Sequence, residues 1–110
     1  MKNLLIIPLR CEIKKSLALS DRYNLGFEYN DFFKPSVLDD TSLCEQYIKE
    51  YKANDLPSFC TMHGDFFDVL VTSEDKKIRE ISALRINQSI DVAKKMGVSA
   101  IIFHTNYNPF

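Results

Sequence analysis

The chain contains no tryptophan and only three glycines, four prolines and three cysteines among 110 residues. So little Gly and Pro, with 26% charged and 45% hydrophobic residues, excludes collagen-like repeats, low-complexity linkers and a disordered tail, and points to one folded domain over residues 1–110. Cys11, Cys44 and Cys60 are odd in number and lack C-x-x-C spacing, so neither a disulfide framework nor a thiolate zinc site is legible in them. Each reads as a small buried apolar residue in a reducing cytoplasm. No run of basic residues exceeds the pairs Lys14-Lys15, Lys76-Lys77 and Lys94-Lys95, and 14 Lys+Arg against 15 Asp+Glu leave a net charge of −1. The electrostatic footprint of a nucleic-acid or anionic-membrane binder is therefore missing, and a neutral or weakly charged ligand is expected. The apolar run Leu4 to Ile7, broken by Pro8, is too short for a signal-peptide core or a membrane span.

What is present is an alternation of two periods. Residues 3–9, NLLIIPL, form a continuous apolar stretch of the kind buried on both faces of a parallel sheet. Ile13, Leu17 and Ala18 then fit a helical stripe, closed by Asn24 and Gly26. Residues 26–29 read as a second strand interrupted by Glu28, and Pro35-Ser36 as a loop. From Thr41, the spacing of Leu43, Cys44, Tyr47, Ile48 and Tyr51 predicts a second helix. Ser58 to Met62 is a third strand leading into His63-Gly64. The stripe Ile78, Ile81, Ile86, Ile90 and Ala93, opened by Ser73 with Glu74-Asp75 and closed by Gly97, predicts a third and longest helix, before a fourth strand over 100–103. Four strands and three helices in strict alternation imply an α/β fold with parallel pairing through right-handed crossovers.

Chemistry in such folds collects where the strands end. Arg10 follows the first strand, Asn30 and Asp31 the second, His63 and Asp65 the third, and His104 and Asn106 the fourth. Arg10, Asn30, Asp65 and Asn106 are candidate substrate-binding residues. The chain's two histidines, His63 and His104, occupy equivalent places; on neighbouring strands they either share a divalent ion or are satisfied by other partners. Glu28 is costly inside an apolar strand unless it serves a site, lies at an edge or pairs with Arg10 or a lysine. Asp65 and Asp68, flanking Phe66-Phe67, also suit a solvated turn, and Arg85 reads as a solvated helix residue.

The stretch HGDFFDVLVTSEDKKIREISALRINQSIDVAKKMGVSAIIFHTNYNP resembles the third βα unit and fourth strand of the xylose-isomerase-like TIM barrels. That superfamily comprises sugar phosphate isomerases/epimerases and apurinic endonucleases. The likeness rests on His63, Ser73, Asp75, Arg85, Lys95, Gly97 and His104, and GFEYNDFF at 26–33 is similar to the second-strand region of uncharacterised isomerase/epimerase members. It implies the first half of a (β/α)₈ barrel, a domain that takes about 250 residues in full. Under it, His63 and His104 would be two ligands of a divalent metal, zinc or manganese, and Glu28 the catalytic carboxylate of this half. The substrate would be a sugar or sugar phosphate, and the chain would be either a truncated or split gene product or a half-barrel to which a second copy or a partner supplies strands five to eight. The weak acidity and short loops disfavour the endonuclease branch, and a non-catalytic half-barrel module is the other alternative.

Overall fold

The structure, a computed structural model, describes residues 4–104. Its strands are β1 (Leu5–Ile6), β2 (Gly26–Tyr29), β3 (Cys60–His63) and β4 (Ala100–Ile102), and its α-helices α1 (Ile13–Tyr23), α2 (Pro35–Leu38), α3 (Thr41–Lys52) and α4 (Lys76–Met96). All pairings are parallel, in the order β1-β2-β3-β4. The expected α/β alternation with parallel pairing is present.

Alternation along the strands sorts the side chains. Register aligns Ile6 with Phe27, Phe27 with Cys60, Tyr29 with Met62, and Met62 with Ile101. That face enters a single apolar core with Val37 and Leu38 of α2, Cys44, Ile48 and Tyr51 of α3, and Val92, Ala93 and Met96 of α4. With period two, Leu5, Glu28, His63 and Ile102 turn to the opposite face, where each stays partly exposed. Cys44 and Cys60 are buried free thiols as expected, but Cys11 is exposed.

The elements differ from the sequence reading in several places; β3 begins at Cys60 rather than Ser58 and takes in His63, and β4 ends at Ile102 rather than at 103. Only Leu5 and Ile6 of the run over 3–9 are strand; Pro8 offers no N–H, and a short 3₁₀ turn, Arg10–Glu12, leads directly into α1. Asn24 alone, left-handed at φ 53°, ends α1, and Gly26 already begins β2. The loop marked by Pro35-Ser36 folds as α2, with Pro35 in its first turn, where a missing N–H costs no helical bond. Finally, α4 is capped by Asp75, whose side chain accepts from the Lys77 N–H at 2.9 Å, and is rotated from the expected stripe. Its buried residues are Ser82, Ser89, Val92, Ala93 and Met96, while Ile78, Ile81 and Leu84 stand 39%, 44% and 47% exposed. The serines explain the rotation: Ser82 Oγ accepts from the Leu70 N–H at 2.8 Å and Ser89 Oγ from the Asp65 N–H at 3.0 Å, so the 64–75 loop lies directly on the helix.

Candidate functional site

The carboxyl ends of β2, β3 and β4 assemble one cluster. Glu28 sits beside Thr61 in the β2–β3 register, and His63 stands two residues further along β3 on the same face. Across the next pairing His63 aligns with Ile102, and His104 follows two residues later. The parity that buries Phe27, Tyr29 and Met62 thus brings Glu28, His63 and His104 together. Gly64 allows the approach, since a Cβ there would collide with the Phe103 ring, and its N–H donates to the Ile102 carbonyl at 3.0 Å.

The two imidazoles face each other through Nε2, 2.9 Å apart, with ring centroids at 5.0 Å and planes at 71°. On the far side of the His63 ring, Nδ1 lies 3.7 Å from Glu28 Oε2. A carboxylate at Nδ1 favours the tautomer carrying its proton there, which leaves the Nε2 lone pair directed at His104. The pair satisfies itself when one Nε2 carries a proton. The separation is also a few tenths of an ångström short of the about 3.3 Å between two nitrogens on one tetrahedral zinc. The residues therefore fit two imidazole ligands of one ion. Among the described residues, however, no group of three or more His, Cys, Asp or Glu side chains converges as metal ligands would.

Aromatic rings border the pair. Phe66 stacks on His104 at 4.5 Å and 19°, meets His63 edge-on at 5.1 Å, and stacks on Phe33 at 5.0 Å and 17°. Phe67, 51% exposed, tilts against both phenylalanines. These rings were not singled out from the sequence. Their signal was the doublets Phe32-Phe33 and Phe66-Phe67, each a few residues after a strand.

Arg10, Asn30 and Asp65 take no part in the contacts of the histidine pair. Arg10 covers the Tyr47 ring at 3.6 Å, pairs with Glu50 and lies 3.9 Å from Asp31. Asn30 is half-buried, directly after β2. Asp65 is fully buried: Oδ1 accepts from the Phe67 N–H at 3.1 Å in a turn, and Oδ2 lies 3.9 Å from Arg85 Nε. Burial raises its carboxyl above the usual range, against the Phe67 N–H and Arg85, which lower it. Asn106 lies outside the described residues. Arg85 is not a solvated helix residue. Its side chain is 17% exposed and binds Asp39, Gln88 and Asp65, because the loop after β3 and the end of α2 both deliver carboxylates to it.

A second buried polar group joins β2 to α3. The fully buried Tyr51 donates its hydroxyl to Asp31 and packs its ring on Tyr29 at 4.7 Å. Burial pushes the Tyr51 hydroxyl far up, with the bond to Asp31 adding to it, and burial also raises Asp31.

No protein-family model matches the chain, and no curated protein does. Among solved structures it is similar to the TTHB071 protein from Thermus thermophilus, in a form soaked with ZnCl2, with a TM-score of 0.66 and 18% identity. The likeness covers 96% of this chain and 40% of that one, so this chain spans less than half the length of the structure it matches. At this identity, the comparison shows a shared α/β arrangement with a parallel sheet.

Proposed function

We propose that this chain forms the first half of a (β/α)₈ barrel and carries two ligands of the divalent metal of a sugar phosphate isomerase or epimerase. The observation that carries the reading is the approach of His63 Nε2 to His104 Nε2 at adjoining strand ends, with Glu28 behind His63. Consecutive parallel strand order with the helices packed on one face agrees with a barrel segment. Zinc is the ion in which the structural neighbour was soaked. Strands five to eight, from further chain or a second copy, would pair with β1 and β4, whose outer edges are unpaired among the described residues.

The metal would polarise the substrate carbonyl and its neighbouring hydroxyl. His63 and His104 would hold it through Nε2. Glu28 would fix the His63 tautomer by its place at Nδ1 and, at 23% side-chain exposure, remain open to the substrate side. The nearby phenylalanine rings would exclude water from the donor pair.

The test is titration of zinc and manganese into the full chain by calorimetry, with ketose–aldose interconversion assayed at concentrations where sedimentation shows association. Binding that weakens in both His63→Ala and His104→Ala, with turnover lost in both, supports the reading. Metal binding unchanged by either substitution removes the shared site, and bound metal without turnover of any ketose or aldose in an assembly completed by strands five to eight removes the isomerase assignment.

A further inference from the structure

His63 and His104 are positioned by different means. His63 has the Glu28 carboxylate 3.7 Å from Nδ1 and, as the last residue of β3, a backbone paired with Ile102 of β4. His104 lies two residues past the end of β4, is exposed, and has no carboxylate within ion-pairing distance among the described residues. Its ring is met instead by Phe66, stacked at 4.5 Å and 19°, and by His63. Phe66 is braced in turn by Phe33, stacked at 5.0 Å, and by Phe67 at 4.5 Å. Its backbone follows Asp65, which Ser89 and Arg85 tie to α4. Stacked rings of this geometry attract each other beyond their burial and restrict rotation about the histidine side-chain bonds. The support reaching His104 therefore runs from α4 through the turn at Asp65 to the Phe66 ring.

We propose that Phe66 is the positioning residue for His104, holding its imidazole in line with His63 through ring stacking, where Glu28 does the same for His63 by charge. The inference deepens the metal reading above and rests on it for its functional consequence, whereas the ring geometry can be tested without metal.

The test uses the full chain as wild type, Phe66→Leu, Phe66→Tyr and Phe33→Leu, with folding checked from the amide NMR spectrum. Without metal, the His104 ring protons are expected upfield of free imidazole in wild type and in Phe66→Tyr. They should return toward the free position in Phe66→Leu, and part of the way in Phe33→Leu. With zinc, Phe66→Leu should bind roughly tenfold more weakly, the loss typical of removing an outer partner of a metal-bound histidine, and Phe66→Tyr should restore wild-type affinity. His104 signals and zinc affinity unchanged in a folded Phe66→Leu would overturn the proposal. So would a Phe66→Tyr variant as impaired as Phe66→Leu. If Phe66→Leu fails to fold, Phe33→Leu and Phe66→Tyr decide by the same shifts. If wild type binds no zinc, the metal reading fails and the ring shifts alone decide the positioning role.

Discussion

Replacing Arg85 by methionine keeps the apolar stem of the side chain while removing the cation that joins α4 to two carboxylates. The bond to Asp39 is charge-assisted, but Asp39's side chain is 56% exposed, so solvent screens it and its loss counts for little. Asp65 weighs more: its side chain is 0% exposed and its Oδ2 has no hydrogen-bond partner, so Arg85 Nε at 3.9 Å is its main compensation. Stranding such a group costs about 1–3 kcal/mol. That cost, about 1–3 kcal/mol, is a substantial share of the roughly 5–15 kcal/mol expected for a domain of this size. Burial holds Asp65 above its ordinary value in the folded state, so its contribution is fully present below the unfolded value of about 3.9 and is lost as pH rises through the higher folded value. Arg85→Met lifts the folded value further, so the variant's deficit should be smallest near pH 4 and grow toward neutrality. Urea unfolding at several pH values measures this, and Asp65→Asn in the Arg85→Met background should recover part of the loss. A deficit below about 0.5 kcal/mol at pH 7, the range of ordinary surface substitutions, or one independent of pH, would refute the reasoning.

Gly97 ends α4 at φ +69°, and a methyl group added there would meet nothing within 4 Å, so Gly97→Ala should cost only backbone strain, about 1–2 kcal/mol, visible as a lower Tm. Tyr51→Phe removes the buried hydroxyl that donates to Asp31 and should lower stability by about 1.5–3 kcal/mol in denaturant titration, without altering the histidine pair's NMR signals. Glu28→Gln takes the charge from His63 Nδ1 and should weaken zinc binding by roughly 10–100-fold in calorimetry while leaving stability nearly unchanged.

The order of elements was legible because it rests on period. The apolar strands, the stripe of α3 and the terminating residues Asn24 and Gly97 each carry a local signal, and the structure places all of them in the expected sequence. The face of α4 was not legible from apolar spacing, because Ser82 and Ser89 face inward to bind loop N–H groups, an arrangement visible only once the loop is placed. The histidine pair was legible for a related reason: each residue closes or follows a strand, and parallel neighbours put such positions side by side. Arg85 and Asp65, 20 residues apart, meet only through the return of the 64–75 loop onto α4, which no periodicity encodes. Arg10 likewise finds Tyr47 and Glu50 through the packing of α3, so its position after β1 did not disclose its partners. Among the described residues no helix is long and apolar enough to cross a membrane, in line with the shortness of the apolar runs.

X-ray absorption at the zinc edge on the zinc-loaded full chain tests the shared His63–His104 site most directly. The account predicts imidazole scattering from two histidines with nitrogen at about 2.0 Å, falling to one in His104→Ala. A spectrum dominated by sulfur at about 2.3 Å, or one unchanged by His104→Ala, would place the ion elsewhere and contradict it.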